Sequence, residues 1–306
     1  MPRENVWGDF LSTSNFRLAW ERVLRSSHSN TKDRIALRSF AAGLDDNLDR
    51  LLQAIDAGIY APSMAPKMYL PKPARTLRTI PVLSVADRIV YQAIGNLVIK
   101  EASGDLSVMA DRHVFAHLPQ PDESQFVLRR WQEQRQAFIE TYERIWGQGY
   151  RWVVEADVAA FYASIDHRLL LELVRKRWIS DERLLELILA CLHCWTAHDG
   201  GSRLNSGVPQ GYETSDVLST LFLLPVDETM VQSFRYLRYV DDIRVLTHDR
   251  DTASKALVTL DLALKARALI LQTKKTVLRE VETLEGESGT LARRLSQITV
   301  RQSLGK

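Results

Sequence analysis

Cysteine and long apolar runs are scarce in this chain of 306 residues. Its two cysteines, Cys191 and Cys194, form an incomplete zinc site unless His193 and His198 join them, because a structural zinc ion normally takes four ligands. Residues 181–195 have the pattern of a helix, which favours reduced cysteines in the core. No signal peptide and no run of about 18 apolar residues is present, so the sequence predicts a cytoplasmic protein without a membrane partner.

Excess charge is also lacking, because 40 lysines and arginines against 38 acidic residues leave a net charge of +2. So small a charge does not by itself indicate nucleic-acid binding, since the field that attracts a polyanion is normally more basic. A nucleic-acid track would have to be local, although the solvated face of a helix is the more frequent explanation for a cationic group. The candidates are Arg129, Arg130 and Arg135; Arg175, Lys176 and Arg177; and Lys274, Lys275 and Arg279.

Two adjacent aspartates, Asp241 and Asp242, stand between strand-forming residues in RYVDDIRVL (238–246). The pattern predicts a β-hairpin with both carboxylates at its tip. Two unit charges about 4 Å apart repel by roughly 4 kcal/mol at an effective dielectric near 20, so such a tip suits a divalent cation. A polar turn without a metal is the alternative, because aspartate is common in turns.

A third carboxylate, Asp157, ends the short apolar run WVVEAD (152–157). The run predicts a buried strand with Asp157 at its C-terminal end. Oxygen ligands without cysteine or histidine favour Mg²⁺, with Mn²⁺ as the alternative. Two such ions bridged by carboxylates stabilise the attacking and leaving oxygens of an in-line phosphoryl transfer.

Further motifs accompany these carboxylates along the chain. In order they are LPKP (70–73), RTIP (78–81), DRIVYQAI (87–94), DVAAFYASIDH (157–167), GVPQG (207–211), YVDD (239–242) and KKT (274–276). Their order and wording resemble the fingers and palm motifs of bacterial reverse transcriptases, nearest to group II intron and defence-associated enzymes. The resemblance covers about residues 67–280 and implies an α+β right-hand polymerase fold, with an antiparallel palm sheet flanked by helices.

The resemblance also implies a division of the chain. It predicts an N-terminal helical region in residues 1–66, fingers in 67–150 and a palm with the catalytic carboxylates in 151–280. The short C-terminal segment, 281–306, is expected to be a reduced thumb or the start of a missing one.

By the same resemblance, carboxylates and one main-chain carbonyl bind the metal ions, namely Asp157, Asp241, Asp242 and Val158. Lys275, or Lys274 beside it, is the expected lysine that protonates the leaving pyrophosphate. A change of one residue in strand register would exchange the directions of these two lysines, so the sequence leaves the choice open.

The nucleotide is expected to contact residues of both fingers and palm. Lys72 and Arg78 match the cations that hold the triphosphate, and the neighbouring alternatives are Lys67, Arg75 and Arg88. Tyr162 matches the steric-gate aromatic, whose ring excludes the ribose 2′ hydroxyl, with Phe161 as the alternative. In the Pro/Gly turn, Gln210 can hydrogen-bond the nucleotide or template, and Gly211 allows close backbone approach.

The implied function is RNA-directed DNA synthesis in antiphage defence. The expected partners are an RNA template, a DNA or protein primer, dNTPs and a cognate non-coding RNA, with a second copy or a protein partner in addition. Two alternatives keep the fold: a template-independent or protein-primed DNA polymerase, and a nucleic-acid-binding scaffold without catalysis. An RNA-dependent RNA polymerase is a further rival, disfavoured by the gate at Tyr162.

Periodicity predicts the helices. They cover parts of 15–60, then 87–100, 123–146, 167–178 with Asp166 as N-cap, 181–195, 212–229 and 252–269. His113 and His117 have helical spacing and are expected to be core residues, in a segment where many relatives have an arginine-containing fingers turn.

Overall fold

Helices and two antiparallel sheets make up the structure, a computed structural model that describes residues 1–26, 34–71, 77–120, 124–197, 204–284, 287, 289–292 and 295. Within those residues the helices are α1 (Trp7–Phe10), α2 (Thr13–Ser26), α3 (Arg34–Ala41), α4 (Leu44–Asp56), α5 (Val85–Met109), α6 (Trp131–Gly147), α7 (Phe161–Ser164), α8 (His167–Arg177), α9 (Glu182–Thr196), α10 (Glu213–Phe222), α11 (Leu224–Val231) and α12 (Arg250–Lys265). The strands are β1 (Lys67–Pro71), β2 (Leu77–Pro81), β3 (Trp152–Asp157), β4 (Arg235–Tyr239), β5 (Asp242–Thr247) and β6 (Val277–Glu280).

The larger sheet has the strand order β4-β5-β3-β6, and all neighbouring pairs are antiparallel. Its central strands, β3 and β5, are buried along almost their whole length. Helix α12 packs against β3, β5 and β6, and α11 packs against α12 and β4. The register puts Asp157 opposite Asp242, so the two predicted acidic segments lie at the same edge of the sheet.

Helix α5 is the central helix of the N-terminal half. It is 25 residues long and packs against α1, α2, α3 and α10, so side chains on several of its faces are buried. Its N-terminus is capped by Ser84, whose hydroxyl accepts the Asp87 N–H at 3.1 Å. No helix in the described ranges is both long and apolar enough to cross a membrane.

Gly95 allows α5 to approach α10 closely. A Cβ at this position would lie 2.9 Å from Cγ2 of Thr214 and closer still to its hydroxyl. We expect Gly95→Ala to lower the free energy of unfolding by about 1–3 kcal/mol, because overpacking forces the two helices apart. Gly104→Ala on the same helix is the control, since its Cβ would meet nothing within 4 Å and should raise stability by up to about 1 kcal/mol. Urea unfolding of the two variants measures the difference, and equal stabilities would contradict the packing argument.

Two predicted helices differ from those in the structure. The helix predicted over 123–146 begins only at Trp131. Residue 123 lies outside the described residues, and part of 124–130 instead pairs with residues 118–120, through the bonds Gln120 N–H to Val127 C=O and Arg129 N–H to Leu118 C=O, both 2.9 Å. The helix predicted over 212–229 is two helices, because Pro225 in the first turn of α11 lacks the N–H that would continue α10.

The remaining predicted helices are present, and the largest change is in α5, which ends at Met109 instead of the predicted residue 100. Helices α2, α3 and α4 lie within the predicted N-terminal helical region, and α5, α8, α9 and α12 lie at the other predicted positions. The Asp166 carboxylate accepts the Leu169 N–H at 2.9 Å, which confirms the predicted cap of α8. His113 and His117 are not on a helix; they belong to the irregular segment after α5, and His117 has φ 56°.

Candidate active site

The tip of the β4–β5 hairpin holds a strained residue. Val240, with φ 60°, and Asp241 form the two-residue turn between Tyr239 and Asp242, which pair across the strands. A β-branched residue rarely adopts a left-handed conformation, so its surroundings must enforce it. The predicted hairpin is therefore confirmed, and the strain lies directly before Asp241.

A buried ion pair stabilises this turn. Arg238 and Asp227 are both fully buried and pair through two bonds, Nε to Oδ1 at 2.7 Å and Nη2 to Oδ2 at 2.6 Å. Arg238 also donates from Nη1 to the Val240 carbonyl at 3.0 Å, while the Tyr236 hydroxyl donates to Asp227 at 2.7 Å. Helix α11, which carries Asp227, is thus linked to the hairpin tip through Arg238.

Two carboxylates and one lysine meet beside the turn. Burial and the negative charge of nearby Asp157 raise the pKa of Asp241 to about 7. Asp157 is itself buried, and its Oδ2 lies 2.5 Å from the Lys275 Nζ. Lys274 and Lys275 are both exposed, and it is Lys275 that the chain conformation before β6 brings to Asp157.

Asp242 faces a different partner. Its carboxylate pairs with the buried guanidinium of Arg244, which also lies 3.4 Å from Glu155. Glu155 in turn accepts from Arg279 at 2.6 Å. Within the described part of the chain, no three His, Cys, Asp or Glu side chains are grouped to hold a metal ion. The arrangement therefore offers two converging carboxylates, Asp157 and Asp241, with the third held in an ion-pair network.

The main-chain carbonyl of Val158 points away from residues 270–272. Hydrogen bonds flank Val158 on the side of residues 270–272: Ala159 N–H donates to Ile270 C=O at 2.8 Å, and Gln272 N–H donates to Asp157 C=O at 2.7 Å. In antiparallel pairing, this pattern turns the N–H and C=O of the intervening residue to the opposite side. The Val158 carbonyl accordingly faces the side on which β5 and the hairpin turn lie.

The loop that carries Gln210 is attached to the segment that carries Tyr162. The Val208 N–H donates to the Tyr162 carbonyl at 2.9 Å, which brings the half-buried Gln210 next to the start of α7. Gly211 has φ 101°, a conformation that suits glycine, so it permits the turn into α10. The motif that contains Gln210 and Gly211 is thus bonded to the motif that contains Tyr162.

Strand β2 is connected to the same loop through Tyr212. The Tyr212 hydroxyl donates to the Pro81 carbonyl and accepts the Leu83 N–H, both at 2.9 Å. Arg78 on β2 lies close enough to Tyr162 to oppose the rise in the pKa of that phenol, which burial and Asp216 nevertheless hold well above its ordinary value. Lys72 and Arg75 lie outside the described residues.

Two contacts of Tyr162 were missed by sequence reasoning. Its hydroxyl donates to Asp216 Oδ1 at 2.7 Å and lies 3.5 Å from His117 Nδ1. These residues are 54 and 45 positions away in the chain, so no local pattern links them to Tyr162.

A family model described as reverse transcriptase (RNA-dependent DNA polymerase) matches residues 70–285, which include all of the elements of this site. The chain belongs to the reverse transcriptase family. It is 30% identical over 215 residues to protein YkfC of Escherichia coli (strain K12), an overlap of 70% of this chain and 52% of YkfC. It is 24% identical over 224 residues to the group II intron-encoded protein LtrA of Lactococcus lactis subsp. cremoris, covering 71% of this chain and 33% of LtrA. The chain thus spans about half or less of these relatives.

Solved structures agree with this family at the level of fold. The apo telomerase of Candida tropicalis matches with a TM-score of 0.51 at 12% identity, over 72% of this chain and 45% of that one. The form truncated from the C-terminal domain gives 0.50 at 14% identity, over 72% of this chain and 50% of that one. The predicted α+β right-hand fold and the predicted reverse transcriptase family are confirmed.

Most of the cationic side chains in the predicted nucleic-acid tracks of this protein are paired with carboxylates. The ion pairs are Arg129–Asp111 at 2.7 Å, Arg130–Glu133 at 4.0 Å, Arg175–Glu182 at 2.7 Å, Lys176–Glu172 at 2.6 Å, Arg177–Glu228 at 2.5 Å and Arg279–Glu287 at 2.6 Å. Arg135 lies over the Trp131 ring, 5.2 Å from its centroid. Neighbouring acids therefore offset most of the charge of the predicted nucleic-acid tracks.

The cysteines are free thiols, as the sequence predicts. Cys191 is buried in α9, and this burial raises the pKa of its thiol well above the ordinary value. Cys194 contacts the Pro62 carbonyl, with Sγ at 3.3 Å from the oxygen. His198, the fourth residue of the alternative zinc site, lies outside the described residues.

Proposed function

We propose that this protein is an RNA-directed DNA polymerase that adds dNTPs to a primer by two-ion phosphoryl transfer. The observation that carries the proposal is the meeting of Asp157 and Asp241 beside Lys275, in a member of the reverse transcriptase family. Converging carboxylate oxygens, whose proximity and burial raise the pKa of Asp241, fit a hard divalent cation such as Mg²⁺ or Mn²⁺.

The proposed ligands are the Asp157 and Asp241 carboxylates and the Val158 carbonyl. Asp242, held by Arg244, is proposed to complete the carboxylate cluster. When bound, the ions supply Lewis-acid activation of the primer 3′ hydroxyl and stabilise charge at the phosphates.

Lys275 is the proposed acid of the reaction. The primer 3′ hydroxyl loses its proton to water as its oxygen forms a bond to the α-phosphorus of the dNTP, and the bond from that phosphorus to the pyrophosphate oxygen breaks. Lys275 then gives a proton to the leaving pyrophosphate. In the structure, the Lys275 ammonium pairs with Asp157, and the Lys275 side chain is 44% exposed, so a phosphate of the substrate can reach it.

The remaining predicted residues are proposed to bind the nucleotide. Arg78 and Lys72 hold the triphosphate, since cationic side chains are what a polyanion requires. Tyr162 closes the space that a ribose 2′ hydroxyl would need, and Gln210 and Gly211 face the nucleotide or template from the adjacent loop. This assignment is supported by the attachment of that loop to Tyr162.

The biological setting is proposed on family resemblance. The substrates are an RNA template, a DNA or protein primer and dNTPs, with residues 67–150 as fingers and 151–280 as palm. A cognate non-coding RNA, a second copy or protein partner, a thumb role for residues 281–306, a cytoplasmic location and service in antiphage defence remain predictions.

Metal affinity should depend on pH through Asp241. Its raised pKa of about 7 means that the carboxyl is largely neutral below that pH and must lose a proton to bind a cation. We expect Mn²⁺ affinity to increase about tenfold between pH 6 and pH 8. Calorimetric titration with Mn²⁺ tests this, with Asp241→Asn as the variant that should bind weakly at both values. Affinity independent of pH in the unmodified protein would contradict the assignment.

Incorporation of labelled dTTP tests the proposed function. Purified protein with Mg²⁺ or Mn²⁺ is given oligo(dT) on poly(rA), oligo(dT) on poly(dA), or no template. Synthesis on poly(rA) that disappears when Asp241 and Asp242 are both changed to alanine is the expected result. Product without a template would favour the template-independent or protein-primed polymerase. Nucleic-acid binding without any synthesis would favour the scaffold.

A further inference from the structure

The contacts of the Tyr162 hydroxyl call for an explanation that the steric gate does not give. A bare aromatic ring is sufficient to exclude a 2′ hydroxyl, so phenylalanine would serve. Here the ring instead carries a hydroxyl that is paired with a carboxylate, Asp216, only 2% exposed. Burying an acidic side chain is costly unless it is well bonded.

Three elements of the fold converge on this hydroxyl. Tyr162 lies on α7, Asp216 on α10 and His117 in the irregular segment after α5. The Tyr162 hydroxyl donates to Asp216 at 2.7 Å, and His117 Nδ1 lies 3.5 Å from that hydroxyl and 3.9 Å from Asp216 Oδ1. Asp216 is in the first turn of α10, where the helix dipole favours a negative charge.

Buried polar contacts of this kind restrict a side chain more than apolar packing does. The Tyr162 ring packs edge-on against Phe161, with centroids 5.7 Å apart, which constrains its near end. The bond to Asp216 constrains the far end, because a hydrogen bond depends on both distance and direction. The ring is therefore constrained at both ends, next to the segment that carries Asp157.

We propose that Asp216, with His117 beside it, is a specificity-positioning residue that holds the Tyr162 ring where it rejects ribonucleotides. This inference rests on the proposed function and deepens it. A ribonucleotide differs from a deoxyribonucleotide only by its 2′ oxygen, so a small shift of the ring could make room for it. Sugar selection therefore depends on the position of the ring as well as on its size. Loss of the bond would let the ring shift and admit GTP in place of dGTP.

The test is the ratio of kcat/KM for dGTP to that for GTP on poly(rC) primed with oligo(dG). We expect Asp216→Leu and Tyr162→Phe each to lower this ratio about tenfold, the size that one charge-assisted hydrogen bond allows. The double variant should match the single ones, since both changes remove the same bond. Asp216→Asn keeps an acceptor oxygen and should stay near the unmodified ratio. Ser219→Ala, a buried change on the same helix, should leave the ratio unchanged.

Several outcomes would overturn the inference. An unchanged ratio of kcat/KM values in Tyr162→Phe would overturn it even if Asp216→Leu failed to fold. A ratio in the double variant that falls by the product of the two single effects would also overturn it. If the unmodified protein makes no product, the proposed function fails, and the inference is judged by calorimetric titration with dGTP and GTP in Ca²⁺. A preference for dGTP that is lost in Tyr162→Phe would support it. Equal affinities in the unmodified protein would contradict it.

Discussion

Asp157→Asn is expected to lower the rate of dNTP incorporation by about a thousandfold or more while the protein stays folded. The change removes a negative charge where the metal ions are proposed to bind, and a loss of about 4 kcal/mol of transition-state stabilisation corresponds to this factor. Stability should change by only about 1 kcal/mol, because the ion pair to Lys275 is partly exposed. Single-turnover primer extension and urea unfolding measure the two effects.

Asp261→Asn is the matched control for this variant. Asp261 binds the Lys265 ammonium at 2.6 Å, much as Asp157 binds Lys275, but its side chain is 34% exposed, against 11% for Asp157. Its replacement should leave incorporation within about twofold of the unmodified rate, as for a surface change of small energy. Full activity in Asp157→Asn, or an equal loss in both variants, would rule out the proposed role of Asp157.

The second large effect is expected at Asp227, which does not touch the site. Asp227→Ala leaves the buried Arg238 guanidinium without its counter-charge and the Tyr236 hydroxyl without its acceptor. Breaking a buried pair from one side costs about 3–5 kcal/mol, so the free energy of unfolding should fall by that amount. Urea denaturation measures it directly.

The neighbouring residue provides the comparison. Glu228 also forms a two-bond pair, with Arg177 at 2.5 Å, but the two side chains are 35% and 29% exposed. Glu228→Ala should therefore cost about 1 kcal/mol or less. The double change Asp227→Leu with Arg238→Met should recover most of the stability, since apolar pairs replace buried ion pairs well. The same double variant should still incorporate dNTPs more slowly, because the Val240 carbonyl loses its hydrogen bond from Arg238. An equal fall in the free energy of unfolding for Asp227→Ala and Glu228→Ala would contradict the argument that burial makes the Arg238–Asp227 pair costly to break.

Local sequence patterns predicted the parts of the site that local structure forms. The hairpin tip, the strand that ends in Asp157 and the Asp166 cap each depend on a few consecutive residues, and each is present. The family and the right-hand fold followed from the order of motifs. The choice between Lys274 and Lys275, left open by the sequence, depends on how the chain turns before β6.

Contacts between distant segments were beyond this reasoning. The pairing of Arg244 with Glu155 depends on strand register, and the contact of Asp216 with Tyr162 depends on how α10 packs. The late start of α6 has a related origin, since residues 127 and 129 find hydrogen-bond partners in residues 118–120 that a helical pattern does not reveal. The break between α10 and α11, by contrast, follows from Pro225. The acids that neutralise the cationic tracks lie up to 124 positions away along the chain, as Glu155 does from Arg279.

The most direct test is primer extension on a heteropolymeric RNA template with Mg²⁺, followed by sequencing of the product. The unmodified protein should make DNA whose sequence is complementary to the RNA, and the Asp241→Asn variant should make almost none. Product from both proteins, or product from the unmodified protein whose sequence does not follow the template, would contradict RNA-directed synthesis at these carboxylates.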